Sequence, residues 1–265
     1  MSEDEMVVLF VALGVALWVW ITWYAGLWQI ARPKARPAPL QPLFFAPLLA
    51  ALLLFGIMTR FASYDVRDAP AYLLLYMLLG AAWVGGALRG MAFFGIRPKD
   101  DVAERANAAA GHATVGAVIG LMLAFAGANI GDGPGWWVVV FCAALSTGGF
   151  YVFWALLETF TRISETVTVE RDESAGARLA GYLIAAGLVL GRGAAGNWVS
   201  GEGALLDLAR VSWPLIFLVA AAGIWERLLR PTPDRPGGSG LFSGVIMAVF
   251  HVAVAGLYVA FLGPW

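Results

Sequence analysis

The sequence predicts an all-α, polytopic integral membrane protein of about eight transmembrane helices, arranged as repeated helical hairpins with both termini outside. Three observations predict it. Hydrophobic residues make up 60% of the 265 residues, charged residues only 13%, and the mean hydropathy is +0.77. A soluble domain is nearer half apolar and one quarter charged, so this chain lacks the polar residues to cover itself and its solvent has to be lipid. Eight apolar stretches approach the roughly 20 residues that cross about 30 Å of hydrocarbon. The basic residues between those stretches collect in every second linker.

The spans read as residues 6–30, 41–59, 71–96, 106–130, 136–158, 174–195, 208–229 and 241–262. The first follows an acidic MSEDE start, which lacks the basic region of a signal peptide, and its apolar run is too long for one. It is expected to be a retained span. The third contains Arg89. The sixth is the weakest, because Arg178 and Arg192 leave thirteen uncharged residues between them. It crosses if both arginines snorkel to opposite interfaces; the alternative is a re-entrant or surface helix. Ser146, Thr147, Gly148 and Gly149 interrupt the fifth span, either as cross-helix packing or as a local break that would suit a substrate. Pro214 should kink or start the seventh.

Linker charge sets the orientation. Odd-numbered linkers hold Arg32, Lys34 and Arg36, then Arg97, Lys99 and Arg105, then Arg162 and Arg171, then Arg230 and Arg235. Even-numbered linkers hold Arg60 and Arg67, and beyond those only Arg192 and Arg210 at span edges. Basic residues stay on the cytoplasmic side, which puts both termini outside. Tryptophans crowd the first span (Trp18, Trp20, Trp23, Trp28), open the fifth (Trp136, Trp137) and end the chain (Trp265), as expected for interfacial anchors. Trp18 and Trp20 lie mid-span and are expected to pack on other helices. Segments 31–40 and 230–240 are Pro/Gly-rich connectors. Cys142 is the sole cysteine, which excludes an internal disulfide and a thiolate metal cluster, and the net charge of −1 argues against a nucleic-acid partner.

Residues 104–127 (ERANAAAGHATVGAVIGLMLAFAG) and 170–188 (ERDESAGARLAGYLIAAGL) match when shifted by 65, with Ala110 on Ala175, Gly111 on Gly176, Gly116 on Gly181, Ile119 on Ile184 and Leu123 on Leu188. Each copy follows a charged linker and opens a span, and two spans separate the copies. They would therefore share one orientation and be related by an axis along the membrane normal. This divides the chain into a three-span segment 1–100, a first repeat hairpin 101–166, a second 167–235 and a last span 236–265. The spans are expected to pair as hairpins two–three, four–five and six–seven, with one and eight completing a fourth pair. Gly86/Gly90, Gly116/Gly120 and Gly187/Gly191 are each four apart, a flat strip that admits a neighbouring helix or, alternatively, lines a permeation path.

The charged linker followed by NAAAG at 107–111, written again as ESAGARLAG at 173–181, resembles the YjfL-like family of bacterial inner-membrane proteins, a domain of unknown function in tandem copies. The second copy departs from the pattern, with Asp172 and Glu173 where the first has Asn107. The resemblance covers about residues 100–230. It implies a multi-pass protein of the bacterial inner membrane with a place in an envelope or membrane-stress module.

No P-loop, nucleophile elbow, HExxH or CxxC is present, so no enzyme is expected. The candidate chemistry is a layer of ionisable residues near the cytoplasmic ends of spans: Arg89, His112, Glu158, Arg178 and Glu226. Such charges are costly in lipid and usually paired. They read as structural ion pairs or as a vestibule for an ion or proton, with Glu158 expected to pair with Arg178 or Arg89. His112 and His251, on separate spans, are also the ligand set of a b-type haem, or else neutral histidines bonded to backbone or hydroxyl groups. Three function classes follow: a transport, channel-like or membrane-stress sensing component, a non-catalytic scaffolding subunit, and a haem-binding electron-transfer subunit. The expected partners are the lipid bilayer, further copies of the chain and other membrane subunits.

Overall fold

The computed structural model describes residues 1–30, 40–234 and 239–263. Arg32, Lys34, Arg36, Arg235 and Trp265, which entered the reading of linker charge and aromatic ends, lie outside the described residues. The regular structure is helical: α1 (Glu3–Ile30), α2 (Gln41–Phe61), α3 (Tyr64–Arg67), α4 (Pro70–Ala87), α5 (Ala108–Gly127), α6 (Trp136–Thr161), α7 (Ile163–Thr168), α8 (Glu173–Ala194), α9 (Gly201–Ser212), α10 (Leu215–Leu229) and α11 (Gly240–Phe261). A 3₁₀ segment, Leu88–Phe94, extends α4, and a π-helical turn, Pro98–Glu104, leads to α5. Among the described residues, seven helical stretches are long and apolar enough to cross a membrane, or eight if α9 and α10, bent by 41°, form one broken span. The bend falls at Trp213 and Pro214, as a proline without an N–H requires.

Sequence-adjacent hairpins are not the main packing unit, and the expected pairing of the spans is corrected here. Helices α2, α5, α8 and α11 stand side by side in one row, each packed on the next. Helix α1 packs on α4 rather than closing a pair with α11, and α6 packs against α8 and α10. The row is held by small residues. A Cβ added to Gly116 or Gly120 would strike the α8 backbone at Ala180 or Leu183, and one at Gly187 or Gly191 would strike the α5 backbone at Gly120 or Leu123. One step along, Gly181 meets Ala248 and Gly244 meets Ser174. Contact positions rise together along both chains, so the neighbours α5, α8 and α11 run parallel. Gly176 lies on the Ala109 backbone, while Gly111 has only ordinary contact with Val102. Gly86 has open space beside it and does not belong to a close-packed strip.

The weakest predicted span is the most enclosed. In α8, 83% of the most apolar stretch is buried, against 17% in α1 and in α11. A central helix is surrounded by protein, so it needs small side chains more than it needs hydropathy. That is the physical reason why α8 reads poorly as a lipid-facing span. Arg178 does not snorkel: it is 2% exposed. Helix α6 runs unbroken through Ser146–Gly149. Ser146 donates to the Ala124 carbonyl (3.1 Å), and Thr147 accepts from Trp83 Nε1 (3.0 Å), so these residues join helices. Trp20 donates across to the Ala81 carbonyl at 3.0 Å. Trp18, expected to pack inward, is 60% exposed, with the Arg89 guanidinium over its ring.

The described chain begins and ends at the same end of the bundle. Trp136 Nε1 donates to Asp4 there, Arg192 reaches the Gly263 carbonyl, and the two loops after α5 and α8 are bonded together (Gly196 N–H to Ile130 carbonyl, 2.8 Å; Trp198 N–H to Asp132 carbonyl, 2.8 Å). The opposite end carries the linkers 95–107 and 162–172 and residues 230–234.

Candidate functional site

A cluster of charge lies at the linker end, where α8 meets α10 and α11. It begins with the cap of α8. Asp172 has extended backbone, and its carboxylate accepts from the N–H groups of Ser174 and Ala175, both at 3.1 Å. These are donors that a helix start leaves without internal partners. Two residues on, helical periodicity sorts the side chains. Gly176, Ala180, Leu183, Gly187 and Gly191 turn to α5, while Ser174, Arg178 and Gly181, on another face, turn to α10 and α11.

Arg178 is thereby driven into protein. Its Nε and Nη2 donate to Glu226 Oε2 of α10 at 2.9 and 2.6 Å, its Nη1 donates to Ser174 Oγ at 2.7 Å, and its Nη2 lies 3.6 Å from Asp172 Oδ2. Arg178 is 2% exposed and Glu226 1%. Ser174 Oγ also bonds Ser239 Oγ at 3.0 Å and is 3.5 Å from Ser243 Oγ, which ties in the start of α11. Formally one guanidinium faces two carboxylates. Two turns beyond Ser243 along α11, His251 is fully buried with its ring edge-on to Tyr182 and Phe250. Glu226 Oε1 and both His251 ring nitrogens have no hydrogen-bond partner among the described residues.

A cleft of about 520 Å³ opens at this end, lined by Glu170, Asp172, Glu173, Ser174, Thr232 and Gly240 among others. Asp172 and Ser174 belong both to the cleft and to the cluster. They place the edge of the cluster beside the cleft, while Arg178 and Glu226 themselves are buried behind it.

The structure brings together two of the five residues expected to form a layer. Among the described residues Glu158 does not pair with an arginine. Its Oε2 accepts from the N–H and Oγ of Ser164, at 3.1 and 2.7 Å. Helix α6 ends at Thr161 and reverses through Arg162 in the left-handed region, which brings the start of α7 to the Glu158 carboxylate, while Arg230 at the same helix end bonds the Thr161 carbonyl and Glu170. Arg89 lies outside, 4.6 Å from the Trp18 ring centroid. His112, half-buried, lines an apolar groove with Ala177, Gly181 and Ala248. That groove does not include His251, which the rings of Tyr182 and Phe250 cover instead.

Asn107 caps α5. Its Oδ1 accepts from Ala110 N–H at 3.2 Å, and its Nδ2 donates to the Val167 carbonyl at 2.9 Å. The sequence marks Asp172 only as the second copy's departure from Asn107, and it does not mark Ser174, Ser239 or Ser243. A capping signal was available, an Asp before an apolar run with Ser174 one helical turn ahead of Arg178, but Ser239 and Ser243 enter only through tertiary contact. Among the described residues no group of three or more His, Cys, Asp or Glu is placed to hold a metal ion. No family model, no curated protein and no solved structure matches the chain, so its reading rests on its own residues.

Proposed function

We propose that the protein spans a bacterial inner membrane with its N-terminal end outside, and that it handles a proton or small ion through the Asp172–Arg178–Glu226–His251 cluster. This is the function of a transport or ion-sensing component. The observation that carries the reading is the pair Arg178 and Glu226, both at most 2% exposed, beside unpartnered acceptors on Glu226 and His251. A structural ion pair in an apolar interior holds its place only when its remaining lone pairs and protons are also satisfied. Ionisable groups left partly unsatisfied inside a membrane bundle mark ion or proton paths. The cleft at Asp172 and Ser174 supplies water access from one end. The backbone contacts at Gly120 and Gly187 close the α5–α8 seam beyond it, so passage to the other side requires a helix to move.

The orientation is supported by charge. Among the described residues, the linker end holds Arg89, Arg97, Lys99, Arg105, Arg162, Arg171, Arg178, Arg227 and Arg230, and the other end holds Arg60, Arg67, Arg192 and Arg210.

We also infer that the chain consists of four units of about 66 residues rather than two. Helices α2, α5, α8 and α11 start at 41, 108, 173 and 240, and α1, α4, α6 and α9 start at 3, 70, 136 and 201. The linker geometry supports the same spacing. Ala106 and Arg171 both take left-handed backbone, as do Gly131 and Gly196, and each pair is 65 apart. Each unit packs on the next, as in an array whose contacts are between neighbouring repeats.

Purified protein in liposomes with an internal pH dye tests the function. Under an imposed potential, wild type should change internal pH, and Glu226→Gln and His251→Phe should slow this at least tenfold at equal incorporation. If wild type moves neither protons nor sodium, potassium or chloride, the cluster is structural and the chain is a membrane scaffold.

A further inference from the structure

A groove of about 410 Å³ lies at the linker end, between α1 and the 3₁₀ extension of α4, and shares no residue with the cleft at Asp172. Two glycines shape it. A Cβ added at Gly85 would strike the Val19 side chain, so α1 and α4 touch there. At Gly26, two turns beyond Val19 along α1, the nearest atom is Lys99 Cδ at 4.0 Å. The two helices therefore part toward the linker end, and the π-helical turn Pro98–Glu104 stands at the mouth. The floor is apolar and buried, formed by Leu27, Leu43, Leu88 and Ile96. Thr22, Arg89 and Ala92 on the rim are exposed and belong to spanning stretches, so the groove opens on the flank that meets lipid in a spanning protein.

The charge around the groove is one-sided. Arg89, Arg97 and Lys99 line it against a single carboxylate, Asp100. Asp100 lies 3.8 Å from Arg97 with both side chains exposed, and such a surface pair neutralises little. Asp101 does not compensate, because it is buried and accepts from the Arg97 N–H and from the Arg105 guanidinium. Arg89 and Lys99 have no carboxylate partner among the described residues. Arg89 carries weight of its own. It lies inside the span Pro70–Phe94, where a charge is costly and usually paired, and its guanidinium rests only on the exposed Trp18 ring. An arginine on a lipid-facing flank without a carboxylate calls for an anion from outside the chain. Residues 31–39, next after α1, are themselves basic by sequence and do not complement the groove.

From this the geometry points to a binding site for an anionic phospholipid of the leaflet at the linker end. The phosphate meets Arg97 and Lys99 at the mouth, Arg89 approaches it from the hydrocarbon side, and an acyl chain lies along α1 past Gly26 toward Val19. Basic pockets between helices at the cytoplasmic surface take such headgroups. A zwitterionic lipid brings its own ammonium among the same three cations and is disfavoured. The assignment rests on the membrane-spanning reading above and not on the ion path through the Arg178–Glu226 cluster.

The test is native mass spectrometry of the full chain in detergent, with dioleoyl phosphatidylglycerol and dioleoyl phosphatidylcholine at equal concentration. Retention of one phosphatidylglycerol per chain is expected, preferred about tenfold over phosphatidylcholine. Arg89→Gln and Lys99→Gln should each lower that preference about fivefold, the contribution of one basic residue beside an anionic headgroup. Gly26→Leu keeps every charge but fills the groove, and should weaken retention of phosphatidylglycerol by a similar factor; if it misfolds, the exposed Lys99→Gln still decides. Arg227→Gln, exposed at the same end on α10, should change nothing. Equal retention of the two lipids, an equal loss in Arg227→Gln, or an undiminished preference in folded Lys99→Gln would each overturn the site. So would displacement by glycerol phosphate at equal concentration, which would make the ligand a soluble phosphate. A dimer that Gly26→Leu turns into a monomer would give the groove to a second copy and overturn it too. A chain that alkali extracts from membranes overturns the spanning reading and the site together, whereas an integral chain without the preference overturns the site alone.

Discussion

Asn107 and Asp172, 65 residues apart, do the same work at the starts of α5 and α8. Each accepts from N–H groups of the first turn, and each follows a residue in left-handed backbone, Ala106 or Arg171. The departure of the second copy from asparagine to aspartate is therefore a change of charge and not of role. Asp172→Asn should retain the cap and lower stability by less than about 1 kcal/mol, whereas Asp172→Ala and Asn107→Ala should each cost about 1–2 kcal/mol. Thermal melts in detergent distinguish them. Equal losses for Asn and Ala at 172 would show that the carboxylate serves Arg178 and not the cap.

The Arg178–Glu226 pair should dominate the stability of the linker end. Removing either partner alone leaves a charge in a dry interior and should cost about 3–5 kcal/mol, while Arg178→Leu with Glu226→Leu should recover much of it. A double-mutant cycle by denaturant or thermal unfolding measures the recovery. Additive losses would mean that the two residues are not coupled as their geometry implies.

Glu158 is expected to matter far less. Its carboxylate caps Ser164 at the start of the six-residue helix α7, and loss of one such cap costs about 1 kcal/mol. Glu158→Gln, which keeps an acceptor, should fall between Glu158→Ala and wild type. A loss above about 3 kcal/mol for Glu158→Ala would point to a buried basic partner instead.

The seam between α5 and α8 should tolerate no side chain. Gly120→Leu or Gly187→Leu would place carbons inside the opposing backbone and should destabilise by about 3 kcal/mol or more, beyond what side-chain adjustment absorbs. Gly86→Leu, with nothing near its Cβ position, should be close to neutral. Expression yield and melting temperature of the three variants provide the comparison. A tolerated Gly187→Leu would mean that the two helices are not in backbone contact.

Orientation is checked with fusions. Alkaline phosphatase on the C-terminus should be active and a fluorescent protein there dark, because the described ends of the chain share the end that is poor in arginine. The reverse pattern would turn the bundle over.

The sequence by itself determined the helical class and, for seven of the eight apolar stretches, bounds within a few residues of the helices found, the other being the bent pair α9–α10. Hydropathy and glycine spacing are local properties written along each helix. It also pointed to Gly116 and Gly181 as equivalents, because a parallel row of close-packed helices demands a small residue at the same height in each. Which helix stands beside which was decided only by the tertiary structure. The row α2–α5–α8–α11 depends on contacts about 65 residues apart, and composition alone does not rank such partners. The site followed the same division. Arg178 and Glu226 were visible as costly charges, yet Glu158 is equally polar and equally near a span end. What separates them is the face each presents: Arg178 turns into the protein between α10 and α11, while Glu158 reaches the start of α7. Side-chain direction in a folded bundle, and not depth along a span, selects which charges meet.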